Sequence, residues 1–155
     1  MPIAKLEAEH RRVLEMADTL DAMAAGPFPE APGIFTQKLW SFTREVMAHL
    51  SNDEALVVVP LMDDRRPHIA QLAVQSLAQL RALHADFERH MADWKGLPGA
   101  EDWPGYRRSV QTLIRRLRAR VAAEESGIYH FMPVQRVDRQ PDLPANCTGA
   151  ASKAA

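Results

Sequence analysis

The chain has 155 residues, of which 46% are hydrophobic and 25% are charged, so it is long enough to form one domain with a buried core. Its formal net charge of −1 excludes a general electrostatic attraction to nucleic acid or to an anionic membrane. The single cysteine, Cys147, excludes an internal disulfide and a metal site built from several thiolates.

Loops rich in proline, glycine and other turn-forming residues divide the chain into four long segments. These loops lie at 26–33, 63–67 and 95–105. Within each segment, apolar residues recur every three or four positions, which is typical of a helix with one buried face. In chain order, the predicted buried faces are Ile3, Leu6, Val13, Leu14 and Ala17; Phe35, Leu39, Phe42, Val46, Leu56 and Val57; Ala70, Ala73, Leu77, Leu80, Phe87 and Met91; and Tyr106, Val110, Leu113, Leu117, Val121 and Ile128.

Four amphipathic helices joined by short loops predict an all-α protein with an antiparallel up-down four-helix bundle. We expect this bundle to occupy residues 1–133. Residues 134–155 are rich in proline, alanine and polar residues, so we expect a disordered or loosely attached tail. The amino terminus lacks the apolar region of a signal peptide, and the longest apolar run, 55–62, is too short to span a bilayer. The sequence therefore predicts a cytoplasmic location.

Ionisable residues interrupt the apolar faces of all four predicted helices. At 100° per residue, five of them point into the apolar arc of their own helix: His10, His49, Asp53, His84 and Glu124. A single buried histidine is usually a structural residue with a hydrogen-bond partner. Five inward polar residues indicate a site only if they lie at the same height in the bundle.

Helix geometry predicts that height. When a loop folds the chain back, residues equidistant from the centre of the loop lie side by side, because each helical residue adds the same rise. His10 and His49 are centred on the first loop, His49 and His84 on the edge of the second, and His84 and position 120 on the third. Burying several ionisable groups together costs several kcal/mol, and a bound cation would offset that cost.

The second half of the chain resembles a copy of the first. Residues 6–20 align with 80–94, which places His10 over His84, and residues 49–62 align with 120–133. The repeat predicts a histidine on helices one and three and a His-x-x-x-carboxylate element on helices two and four. Position 120 alone departs from this pattern, because Arg120 stands where a histidine is expected.

This pattern, together with Pro60 after the motif of the second helix, resembles the haemerythrin-like or HHE cation-binding family over residues 3–133. The resemblance implies a four-helix bundle that holds a non-haem di-iron centre. It further implies the binding of dioxygen, a response to nitric oxide or redox change, or the sensing and holding of iron. The residues that match ligand positions of the family are His10, His49, Asp53, His84 and Glu124.

Two residues depart from the family pattern. Asp53 replaces a glutamate and shortens the reach of the carboxylate, while Arg120 removes a ligand because a guanidinium has no free lone pair. The remaining imidazole and carboxylate donors suit iron, with manganese or zinc as alternatives, in one or two ions.

Three further carboxylates lie near these positions. Glu54 and Glu125 are rotated by about 100° from their ligand-like neighbours, so we expect them to be solvated or to support a ligand from outside. Glu88 lies four residues after His84 on the same side, where it is a candidate for an extra ligand or for orienting one.

Arg120 leaves several outcomes open. In the first, the site holds two irons, and water or Glu88 fills the gap. In the second, it holds one metal, and the guanidinium neutralises Glu124 or Asp53. In the third, it holds no metal, and Arg120 pairs the carboxylates in a structural network. A further alternative is that Arg120 bends outward to water, as long side chains do.

The leading hypothesis is a non-haem iron protein that binds or senses dioxygen, nitric oxide, or redox or iron status, rather than an enzyme. One alternative is a degenerate, metal-free bundle that acts as a protein-interaction module. Another is a small di-iron oxidase or peroxidase. The expected partner is a diatomic ligand, with neither nucleic acid nor membrane, and a homodimer is compatible with the sequence.

Overall fold

The computed structural model describes residues 3–96 and 98–133, and these form an all-α, antiparallel four-helix bundle. The predicted tail, 134–155, lies outside the described residues. The helices are α1 (Ile3–Ala24), α2 (Pro32–Asp53), α3 (Val59–Met62), α4 (Pro67–Asp93) and α5 (Trp103–Ser126), with a π-helical turn at Glu54–Val58 and a 3-10 turn at Ile128–Phe131. In the described part of the chain, no helix is long and apolar enough to cross a membrane.

The long helices pack in a ring. α1 contacts α2 and α5, and α4 contacts α5 and the segment formed by α2, the π-helical turn and α3. A proline in the first turn of α2, α4 and α5 helps to define where these helices begin, because proline lacks the N–H that would be unpaired there. The apolar interior runs along the bundle and includes Leu6, Phe42, Val46, Leu80, Phe87 and Leu117.

The buried face of α4 differs from the predicted one. Its buried residues are Ile69, Ala73, Ser76, Leu80, Leu83, Phe87 and His90. Ala70, Leu77 and Met91, which the apolar pattern places at the centre of the face, are only partly buried. The true face is therefore rotated by about 55° from the predicted one.

The second helical segment changes its winding directly after Asp53. In the π-helical turn, the N–H of Val59 donates to the carbonyl of Glu54, five residues earlier. Pro60 explains the wider turn, because its ring would clash with the carbonyl four residues before it in an ordinary α-helix. The turn leaves Asp53 fully buried and directs both Val57 and Val58 into the core. Turns of this kind frequently accompany functional sites.

Candidate metal centre

Three side-chain atoms from three helices converge inside the bundle. The Nε2 atoms of His10, on α1, and His49, on α2, lie 2.9 Å apart. Oε2 of Glu124, on α5, lies 2.8 Å from Nε2 of His10 and 3.6 Å from Nε2 of His49. Among residues 3–96 and 98–133, these three form the one group of histidine, cysteine and acidic ligand atoms that all lie within 4.8 Å of one another.

The outer nitrogens of both imidazoles are bonded to carboxylates. Nδ1 of His10 donates to Oε1 of Glu125 over 2.8 Å, and Nδ1 of His49 donates to Oε2 of Glu9 over 3.0 Å. An ionised carboxylate only accepts hydrogen bonds, so each Nδ1 carries a proton, and in the neutral form of each imidazole the lone pair is on Nε2. Two lone pairs and a carboxylate oxygen therefore face the same point, an arrangement that favours a cation.

The pKa shifts of Glu124 and His49 both favour positive charge at the centre. Burial alone would raise the pKa of Glu124, but His10, His49 and the nearby Arg120 outweigh it and lower that pKa, so the carboxylate stays ionised. Burial alone would lower the pKa of His49, but its hydrogen bonds to Glu124 and Glu9 raise it. The centre attracts positive charge, whether that charge is a proton or a metal ion.

Tyr129 completes the inner group, and sequence analysis missed it. Its hydroxyl lies 3.2 Å from Nε2 of His10 and donates to Oε2 of Glu124 over 3.3 Å, while its ring stacks on the imidazole of His10. Burial and the charges of Glu124 and Asp53 raise the pKa of Tyr129, so the phenol keeps its proton. The available signal was an aromatic residue with a polar tip that follows the motif of the last helix.

Arg120 points inward, so the alternative in which it bends out to water is wrong. Its guanidinium donates from Nε to Glu124 Oε1, from Nη2 to Asp53 Oδ2 over 2.9 Å and from Nη1 to the carbonyl of Ser76 over 3.1 Å. Burial, followed by the charge of Glu124, raises the pKa of Asp53 to about 6, although Arg120 acts in the opposite direction. Oδ1 of Asp53 is buried and has no hydrogen-bond partner within the described residues.

His84 lies apart from this group. Its side chain is 34% exposed and faces Glu88, with 3.6 Å between Nδ1 of His84 and Oε1 of Glu88. Two errors explain why His84 was predicted to lie at the centre. The face of α4 is rotated, which leaves His84 about 70° from its centre, and α4 meets Arg120 at Ser76, which is about 12 Å along the helix from His84. The expectation that all four helices carry their polar residues at one height is therefore wrong for α4.

Comparison with known proteins identifies the family. The model described as the Hemerythrin HHE cation binding domain matches residues 1–131 of the 155. The chain belongs to this haemerythrin family. No curated protein and no solved structure matched the chain.

The carboxylates around the haemerythrin-type centre separate into two groups. Glu125 orients His10, as a supporting residue would, whereas Glu54 bonds to Arg81 over 2.7 Å at the surface and Glu88 is exposed. Glu9, which orients His49, was missed. The hairpin arithmetic that pairs His10 with His49 also places Glu9 opposite position 50, so this residue was within reach of the sequence.

The residues present fit a metal ion. Two Nε2 atoms and a carboxylate oxygen converge, and carboxylates hold both imidazoles from behind, as they hold metal-bound histidines. Oδ1 of Asp53 is buried and has no partner among residues 3–96 and 98–133. This haemerythrin-family domain therefore carries a candidate metal site formed by His10, His49 and Glu124.

Proposed function

We propose that this haemerythrin-family protein binds iron through His10, His49 and Glu124 and uses the site to bind dioxygen or nitric oxide. One observation carries the proposal. Both imidazoles are fixed by carboxylates on their outer side, so their Nε2 lone pairs meet a buried carboxylate oxygen at one point. Unless a proton or a metal ion lies between them, these three acceptors repel one another in a medium that screens charge poorly.

The donor set supports iron. Two imidazoles and one carboxylate with open coordination positions are typical of non-haem Fe(II) sites, although manganese and zinc accept the same donors. When bound, iron supplies a coordination position and an electron-rich centre for a diatomic molecule. The chain supplies the three donors, holds both imidazoles in one tautomer and keeps water away.

The burial of the centre supports a small ligand. His10 and Glu124 have no exposed area. Tyr129, in the turn after α5, places its hydroxyl against both of them. A diatomic molecule is small enough to pass between packed side chains, whereas a larger reductant needs an opening to reach these atoms. The hydroxyl of Tyr129 is a hydrogen-bond donor at that point, which suits a ligand that gains partial negative charge on binding.

Two histidine variants test the proposal. We expect wild-type protein that is loaded anaerobically with Fe(II) and then desalted to retain iron, and His49→Ala to lose most of it. His84→Ala is the matched control and should retain the wild-type amount, because His84 lies outside the centre. Elemental analysis measures the iron, and the optical spectrum with and without nitric oxide measures ligand binding.

Each failure points to a different conclusion. Equal iron in wild type and His49→Ala would remove His49 from the site. Wild-type protein that takes up no iron, manganese or zinc would favour the metal-free interaction module. Iron retention with no spectral response to dioxygen or nitric oxide would overturn the diatomic ligand and leave metal binding intact.

A further inference from the structure

Arg120 uses all three of its guanidinium nitrogens inside the bundle. Its acceptors are Glu124 on its own helix, Asp53 at the end of α2 and the backbone carbonyl of Ser76 on α4. The side chain is only 7% exposed, and these bonds hold the planar group between two carboxylates that are themselves fully buried. The guanidinium is thus a fixed part of the centre.

Within each of the two carboxylates, the two oxygens have different surroundings. Oε1 of Glu124 faces Arg120, while Oε2 faces the imidazoles of His10 and His49. Oδ2 of Asp53 also faces Arg120, while Oδ1 has no hydrogen-bond partner among the residues that the structure describes. A second metal ion on the Arg120 side would have to bind oxygens that the guanidinium already holds, and it would lie close to the positive charge of that group.

Charge balance leads to the same conclusion. Asp53 and Glu124 bring two negative charges into the interior, and the guanidinium of Arg120 adds one positive charge. One divalent ion beside the imidazoles already turns this inner group net positive. A second divalent ion next to the guanidinium would add strong repulsion where screening is weak.

We propose that Arg120 acts as a built-in cation in place of a second metal ion and so limits the centre to one ion. The inference rests on the proposed metal site at His10, His49 and Glu124. Arg120 is a positioning residue in this scheme, because it holds the far oxygens of Asp53 and Glu124 without touching the ion. An imidazole at position 120 would instead supply, with these two carboxylates, three donors for a second ion.

The test counts ions per chain after anaerobic loading of the full chain with Fe(II), by elemental analysis and by titration calorimetry. We expect wild type to bind about one ion and Arg120→His to bind about two. The matched control is Arg118→His, two residues earlier on the same helix, where the arginine pairs with two carboxylates at the surface. This control should keep the wild-type count.

The outcomes separate the inference from the proposed function. About two ions in wild type, or about one in a folded Arg120→His, would overturn the role of Arg120 while the metal site remains. No ion in wild type would overturn both. If Arg120→His does not fold, Arg120→Gln removes the same charge and offers an amide oxygen as the third donor. A count that stays at the wild-type value in this variant would also overturn the inference.

Discussion

Each metal-facing imidazole is oriented by a carboxylate that reaches the surface. Glu125 is 45% exposed, and Glu9 is also partly exposed, yet both accept from the outer nitrogen of a fully buried histidine. Keeping these charges at the surface avoids most of the cost of desolvating them. The hydrogen bonds still fix the tautomer and the ring plane inside, so the two inner nitrogens are positioned before any ion arrives.

Replacing one of these carboxylates should therefore weaken metal binding without unfolding the protein. We expect Glu125→Gln to lower the affinity for Fe(II) by about 10- to 100-fold, because the amide no longer raises the basicity of the His10 imidazole. Competition with a chelator measures the affinity. Glu54→Gln is the control, because Glu54 also follows a buried carboxylate directly but bonds only to Arg81 at the surface. Equal affinities for the two variants would contradict this role of Glu125.

His90 is buried, as His10 and His49 are, but its environment differs from that of the centre. Its Nδ1 lies 2.7 Å from the hydroxyl of Ser109, its ring packs near Tyr106, and its Nε2 has no partner in the described part of the chain. Burial lowers the pKa of His90 from the ordinary 6.5, against a smaller opposing effect of Asp93. His90 is therefore a structural residue that favours the neutral form.

This shift predicts how stability depends on pH. Below about pH 6.5, the unfolded chain binds a proton on His90 before the folded protein does, so the free energy of unfolding falls as the pH drops toward the lowered pKa. We expect denaturant titrations of metal-free protein to show a shallower fall in His90→Gln than in wild type. His84→Gln, which keeps His90, should retain the wild-type slope. A slope that His90→Gln leaves unchanged would contradict the prediction.

At the scale of elements, the turn that follows α5 places Tyr129 at the centre. Gly127 joins α5 to the 3-10 turn, and a Cβ atom at this residue would lie 2.7 Å from the carbonyl oxygen of Ala123. Because that oxygen belongs to the backbone of the preceding helical turn, it cannot move without disturbing the end of α5. The absence of a side chain at 127 thus allows the tight reversal that brings the Tyr129 hydroxyl to Glu124.

Two alanine substitutions test this role of the turn. We expect Gly127→Ala to lower the free energy of unfolding by about 1–3 kcal/mol, since the new methyl group overpacks the turn. Gly33→Ala is the control, because its Cβ would meet no atom within 4 Å and it lies in the first turn of α2. This second change should leave stability equal or raise it by up to about 1 kcal/mol. Similar effects of the two substitutions in denaturant titrations would contradict the prediction.

The helices themselves could be predicted because their apolar period is strong, but their rotation could not always be. In α4, both the set with Ala70 and Leu77 and the set with Ile69 and Ser76 have helical spacing. Both sets satisfy the helical period, so the period alone does not show which set is buried. The packing of α4 against its neighbours decides between them. The prediction for His84 depended on that choice.

For the whole molecule, the sequence predicted the bundle and the convergence of His10, His49 and Glu124, because short loops fix which residues of neighbouring helices lie side by side. The position of Tyr129 was not predicted, because this residue lies beyond the last helix, where no periodicity gives the direction of a side chain. The π-helical turn was not predicted either, because the local winding of the helix depends on how Pro60 is accommodated rather than on the apolar pattern.

The centre joins the first and last helices of the bundle, since His10 and Glu124 are separated by 114 positions in the chain. A nascent polypeptide emerging from the ribosome therefore holds two imidazoles early but gains the carboxylate only when α5 is complete. Docking of α5 against α1 closes a long loop of the chain. An ion bound by His10 and Glu124 would offset part of the entropy cost of that closure. The candidate site is therefore complete only when the last helix of the bundle has been synthesised.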